Sequence, residues 1–330
     1  MRKGVPERGA FLKEEKDMWR YIAKRLVMMI FVVLGVAILI FTIMYFTPGD
    51  PAQIILGASA TEDQIYALRE TMGLNRPFVV QLVSFLKDTF LHLDFGNSYI
   101  TRGDVSTELF SRMPRTLTLA VICMIISTIV GLPLGIIAAT HQDKWQDTLS
   151  IALSLIGVSI PGFWLALMLI LVFSVKLGWL PAYGIGGFKY YILPCISNSI
   201  AAIAINARQT RSSMLDVIRS DYVTTALAKG VSQRDVIYKH ALPNALIPII
   251  TVIGGNLAGA LGGTVIIESI FSIPGIGLYM TNAINSRDYP VVRGSVVVLA
   301  IAFSLIMLAV DLFYAFVDPR IKAQYAGGKR

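Results

Sequence analysis

The sequence is poor in the residues that do chemistry. It has two cysteines, Cys123 and Cys195, and three histidines, His92, His141 and His240, in 330 residues. Two cysteines 72 positions apart form neither a C-x-x-C pair nor a disulfide framework. Both fall in or beside apolar blocks and read as packed thiols. The histidines are scattered, and a shared metal site is not expected. There is no G-x-x-x-x-G-K-[ST] loop to cradle nucleotide phosphates, no H-E-x-x-H and no G-x-S-x-G. An enzyme is therefore not expected. Charge is scarce as well: 15% of residues are charged, against about 25% in a soluble domain.

Apolar residues make up 55% of the chain and collect in long uncharged blocks, which read as membrane spans. Six are predicted: Leu26–Phe46, Leu117–Thr140, Leu149–Val175, Ile192–Ala207, Ala245–Ile267 and Ser295–Val317. The first is too long for a cleaved signal and lacks an A-x-A site after it, so it is expected to remain as an anchor. Gly157, Pro161 and Gly162 should kink or interrupt the third. Ile192–Ala207 is the shortest and carries Pro194, Ser197, Asn198 and Asn206. The expected fold class is thus an all-α membrane protein of six transmembrane helices, with a small helical insertion after the first.

The net charge of +8 follows topology. With the N-terminus inside, segments 1–25, 141–148, 208–244 and 318–330 hold 8, 1, 6 and 4 Lys plus Arg, while 176–191 and 268–294 hold 2 each. Basic residues collect in short cytoplasmic loops, so both termini are expected in the cytoplasm of a multi-pass plasma-membrane protein. The organisation read from this is a cytoplasmic segment 1–25, a first helix 26–46, an outer helical segment 47–113, a five-helix domain 114–317 with a cytoplasmic loop 208–244, and a cytoplasmic tail 318–330. No function is assigned to the extension Met1 to Asp17.

Two loops show local order. In the outer segment, Thr61 and Gln64 form a T-x-x-Q capping box, Gly73 suits the helix end, and Asn75-Arg76-Pro77 opens a second helix to about Phe90. This segment reads as a solvated cap or a docking surface. In the cytoplasmic loop, Arg208, Arg211 and Arg219 are expected to carry the fourth helix into water. A short helix of small residues follows from Asp221 to Ala228, closed by Lys229-Gly230. Ser232 with Asp235 starts another helix, which Pro243 is expected to close. Tethered at both ends to spans, this helix-turn-helix is not read as a nucleic-acid binder.

Asp311 is the one carboxylate inside a predicted span and is expected to pair locally near the interface. Gly255, Gly259 and Gly263 form a stripe read first as a close-packing face and second as room for a substrate path. Ser159, Asn198, Asn206 and Asn256 are the polar span residues that would line such a path.

Four stretches, in order, carry a family resemblance: Thr47 to Ala52; Met72 to Pro77; Asp221 to Gly230 with Leu242-Pro243-Asn244-Ala245; and Glu268 to Gly277 with Arg287-Asp288-Tyr289-Pro290. Together they resemble the inner-membrane permeases of binding-protein-dependent ABC importers, and within them the first permease of the dipeptide, oligopeptide and nickel group. The family's E-A-A signature appears as Thr224-Thr225-Ala226 with Gly230, Leu242 and Pro243 in register; His240 replaces an Ile. The arginines common in the peptide-transporter version are absent from Thr224–Gly230. The resemblance implies a type I ABC importer permease fold and an ATPase-coupling role for Tyr222, Thr224, Thr225, Ala226, Ala228, Lys229, Gly230, Leu242 and Pro243. It also implies four kinds of partner: a second homologous permease, two ATP-binding subunits that carry ATP and Mg, an extracytoplasmic binding protein, and membrane lipid. Peptides are the expected substrates; nickel or another chelated metal, and an ion-coupled secondary carrier, are the alternatives.

Overall fold

The computed structural model describes residues 8–317; the 318–330 tail and the first seven residues of the N-terminal segment lie outside the described residues. The described chain is helical, with a single isolated bridge, Asn97 to Asp104. Among the described residues five helices are long and apolar enough to cross a membrane, and one sharply bent pair passes the same test when its two parts are taken together.

Helix α1 (Arg8–Phe46) is unbroken, so the N-terminal segment continues directly into the first span. Its membrane-length part, Ile22–Phe46, has a mean hydropathy of 3.1. Phe31, Val32 and Leu39 are exposed there, as suits side chains that face lipid tails. Short helices α2 (Pro51–Leu56), α3 (Glu62–Thr71) and α4 (Phe78–Leu91) build the insertion. Asp50 accepts from Ala52 N and caps α2, a helix the sequence reading did not assign. The capping box of α3 is reciprocal: Thr61 Oγ1 accepts from Gln64 N, and Gln64 Oε1 accepts from Thr61 N.

The second span is the end of α5 (Val105–Thr140), which starts a dozen residues before the apolar block. Asp104 caps it by accepting from Thr107 N at 2.8 Å. The third span is broken into α6 (Trp145–Ser159) and α7 (Gly162–Leu169), which continues as a π turn to Lys176; the two parts meet at 94°. Pro161 explains the break. It has no N–H to donate and pushes Ile160 to an extended ψ of 120°.

Helix α8 (Lys189–Ile218) is far longer than the apolar stretch within it. It is the least apolar of these spans and the most enclosed by protein. The two facts share one cause: Ser197, Ser199, Asn206, Thr210 and Ser213 face protein, not lipid. Helix α5 lies directly against it across Gly131 and Gly135. A Cβ on Gly131 would sit 2.8 Å from Asn206 Cβ, and one on Gly135 would sit 2.4 Å from Thr210 Cβ.

Helix α9 (Asp221–Ala228) follows, then α10 (Gln233–Asp235), a π turn (Val236–Ala241) and α11 (Leu242–Phe271). Pro243 does not close the preceding helix as expected. Gln233–Phe271 is one continuous helical rod. A proline at the start of α11 costs little when the wider π turn precedes it, because the ring then has no tight turn to clash with. Helix α12 (Ile276–Asn285) packs at the C-terminal end of α11, and α13 (Tyr289–Val317) is the last span. Asp311 pairs with Arg25 of α1 at 2.9 Å, the local pairing expected of it.

Candidate functional site

At one end of the bundle, α9 hangs between α8 and the π turn. Val223 is buried and anchors it, and Ser220 tucks its hydroxyl onto Val217 O at 2.6 Å. Tyr222, Thr224, Thr225, Ala228 and Lys229 are exposed, and Ala226 is half-buried. The helix ends in a Schellman pair: Val231 N donates to Ala226 O at 3.2 Å and Gly230 N to Leu227 O at 2.9 Å. Gly230 takes φ +80°, a left-handed backbone with little penalty for glycine alone. Ser232 Oγ then accepts from Asp235 N. Leu242 packs into the core with Met214 and Ala245, and Pro243 is exposed at the start of α11. So α9 presents one short face of small residues, flanked by the exposed Tyr222 and Leu227.

The base of this element is rigid for a reason the sequence reading missed. Arg211 does not extend into water. It grips Asp147 of α6 with two hydrogen bonds, Nε to Oδ1 at 2.5 Å and Nη2 to Oδ2 at 2.7 Å. Asp147 is buried and also accepts from Asp143 N. Arg219 reaches Gln142 at 3.1 Å. The bent pair and α8 are thereby tied where α9 begins.

Midway along the bundle is a hollow of about 280 Å³ lined by Asn198, Asn256, Ser127 and the glycine stripe of α11. Asn256 Nδ2 donates to Asn206 Oδ1 at 2.8 Å, and Asn206 Nδ2 donates to Ser127 Oγ at 3.3 Å. Asn198 faces Cys123 Sγ at 3.6 Å. Asn198, Asn206 and Asn256 are thus brought together. Ser159 is not: it ends α6 and bonds Leu155 O in its own helix. The stripe splits by role. A Cβ on Gly254 would collide with Val310 at 2.3 Å, so that glycine is for packing against α13. Positions Gly255 and Gly259 have no neighbour within 4 Å and open onto the hollow.

At the opposite end, two of the recognised stretches are in contact. Arg287 Nη1 donates to Pro48 O at 2.6 Å, against Gly49 at φ +126°. Buried Asp288 accepts from Ser98 Oγ at 2.5 Å and from Tyr99 N at 2.9 Å. This pins the insertion to the start of α13. Burial, with the Asp288 charge adding to it, raises the Tyr99 phenol above its ordinary value. Burial likewise pushes Tyr279, under the Arg112 guanidinium, up to about 12. The Glu268 stretch explains itself in the same way. The buried Glu268 carboxylate accepts from Gly277 N at 2.7 Å and Leu278 N at 3.2 Å, capping α12 from outside the helix.

A bundle of membrane-length helices, with a small exposed helix tied to its central rod and a polar hollow between spans, defines the membrane-embedded subunit of a transporter. Residues 131–323 match the model of the binding-protein-dependent transport system inner membrane component, and residues 18–120 match that family's N-terminal membrane component. The chain belongs to this family of ABC importer permeases, whose members work with ATPase subunits and a binding protein. It is 44% identical to the dipeptide transport system permease protein DppB of Alkalihalophilus pseudofirmus, over 92% of this chain and 100% of that one. It is 40% identical to the glutathione transport system permease protein GsiC of Salmonella typhimurium, over 92% and 99%. Two inward-facing structures of the MetNI methionine ABC transporter superpose with TM-scores of 0.53 and 0.56 at 20% identity, covering 64% of this chain and 96% of theirs. They establish the type I permease fold. The chain is a transport subunit, not an enzyme.

Proposed function

We propose that this permease imports dipeptides or other short peptides. The reading rests on the relatives over nearly the whole chain, named for dipeptide and for glutathione transport. Asn198 and Asn256 line the hollow and supply amide donors and acceptors suited to peptide groups, with buried Asn206 behind them holding Asn256 in place. At about 280 Å³ that hollow is at the small end for a ligand site, so a second homologous permease would supply the other wall.

Helix α9, with Tyr222, Thr224–Ala226, Ala228, Lys229 and Gly230, would seat in one of two ATP-binding subunits, and ATP and Mg would be held there. Leu242 and Pro243 would hold the return to α11. Closing of the ATP-binding subunits moves α9 and the end of α8 from which it hangs, and α6 moves with α8 through the Arg211–Asp147 clamp. Alternating access then follows from the preference of ATP for one of two states. Both termini would be cytoplasmic, and the 47–113 segment, with the 268–294 loop, would meet the binding protein outside. Purification of the tagged chain in mild detergent, followed by reconstitution with what co-purifies, tests this. Recovery of a second permease, a G-x-x-x-x-G-K-[ST] protein and ATP-dependent dipeptide uptake is expected. A chain that comes out alone, or uptake driven by an ion gradient without ATP, would overturn it.

A further inference from the structure

A second hollow, larger than the polar one, lies away from both it and α9. It encloses about 790 Å³ between the end of α1, helices α3 and α4, the 94–102 loop and the start of α13. Half-buried Arg293 of α13 lines its wall. The guanidinium lies 5.3 Å from the Phe41 ring centre and 5.1 Å from that of Phe85. Its Nε donates to Tyr289 O at 3.3 Å, and the Tyr99 phenol is its other hydrogen-bond partner. No carboxylate pairs with it among the described residues. A guanidinium carries five N–H donors, and a charge withdrawn from water without a counter-ion is costly.

The acids that share the hollow are engaged elsewhere. Asp50 caps α2 and meets Arg69 at 3.4 Å, Asp88 accepts from Ser84 Oγ, and Asp94 accepts from Gly96 N at 2.7 Å. Two more guanidiniums, Arg76 and Arg102, line the hollow at exposed positions, and their side chains donate to no acceptor among the described residues. Phe41 and Phe85 stack on each other beside Arg293, and rings beside arginine at the end of a span are suited to the level where lipid headgroups meet hydrocarbon.

We infer that this hollow binds a phosphate group, anchored by Arg293 and closed over by Arg76 and Arg102. Three guanidiniums with unfilled donors offer more than one fork. The several oxygens of a phosphate can occupy them together, whereas a carboxylate has two. The phosphate comes either from a phospholipid headgroup or from a free phosphate ion or ester. The site lies apart from the polar hollow and does not depend on which substrate is imported.

The test uses the full-length chain with its co-purified partners in detergent. Thermal stability is followed against inorganic phosphate, with chloride at equal ionic strength as control, and separately against phosphatidylglycerol and diacylglycerol, which lacks the phosphate. A saturable rise with inorganic phosphate identifies a free ion; a rise with phosphatidylglycerol but neither phosphate nor diacylglycerol identifies a lipid headgroup. In either case Arg293→Gln weakens the effect by about tenfold or more, as loss of a charge-assisted pair should. The Arg76→Gln/Arg102→Gln double variant, altered only at exposed positions, weakens it severalfold and keeps the test alive if Arg293→Gln fails to fold. No protection by either phosphate source, or equal protection of native and variant proteins, overturns the assignment.

Discussion

Glu268 should be worth more to this fold than a lone carboxylate at the margin of a span suggests. It is fully buried at the end of α11 and accepts from two N–H groups of the first turn of α12. The Thr116 hydroxyl sits beside it and accepts from Ile276 N at 3.0 Å. The chain is cut to fit around it: a Cβ on Gly275 or Gly277 would lie 2.5 Å or 2.8 Å from its carboxylate. Glu268→Ala removes two hydrogen bonds, both accepted by Oε2 and each worth about 1.5–3 kcal/mol, and strands their donors, while relieving the buried Oε1 that no donor meets among the described residues. We expect a loss of about 3–5 kcal/mol, since the two bonds are not additive. Glu268→Gln keeps one oxygen in place and should lose about 1–2 kcal/mol. At roughly 2 °C per kcal/mol for a chain of this size, the alanine variant should melt roughly 6–10 °C below the native protein in detergent, with glutamine between. Equal melting of all three would refute the capping role.

Other outcomes follow from the same geometry. Gly135→Leu should destabilise the protein by about 1–3 kcal/mol or more, because even a Cβ there meets Thr210 and Ala207 O; a thermal shift under 1 °C would contradict direct packing of α5 on α8. Asp147→Ala leaves the Arg211 charge without its partner and should cost about 3–5 kcal/mol, whereas Asp147→Ala/Arg211→Met should recover most of it; thermal melts of both variants check this. Asp104 is held below the usual carboxylate range by the Thr107 hydroxyl and N–H. Its contribution is therefore present above its unfolded value and lost as pH falls through the lowered one, so Asp104→Asn should flatten the acid limb of a melting-temperature profile. Gly230→Val forces a β-branched residue to φ +80° and should uncouple ATP hydrolysis from uptake while leaving the protein in the membrane; native uptake would contradict this.

What could be read from the sequence was local. The capping box of Thr61 and Gln64, the glycine that ends α9 and the break at Pro161 each depend on a handful of neighbours. The spans were legible because uncharged runs of this length have no other use. The unread features are those in which partners are far apart. Ser98 and Asp288 are 190 positions apart, Asp147 and Arg211 are 64 apart, and nothing in either neighbourhood names the other. Arg211 was misread as solvated because its own surroundings are polar. The weak hydropathy of α8 likewise hid its length, and only its central position explains why polar residues suit it. Asn198 and Asn256 line the hollow with Asn206 bonded behind Asn256, while Ser159, equally polar in the sequence, ends α6 and turns back on its own helix.

Helix α9 as the contact with an ATP-binding subunit is the claim on which the proposed mechanism turns. A photo-reactive or cysteine cross-linker placed through Ala228→Cys, on an exposed position of that helix, tests it in the assembled complex. The account predicts an adduct with an ATP-binding subunit that changes in yield when ATP is added, and none from Ser59→Cys at the opposite end. Absence of the Ala228→Cys adduct while that subunit is present in the complex, or an equal yield from Ser59→Cys, would contradict it.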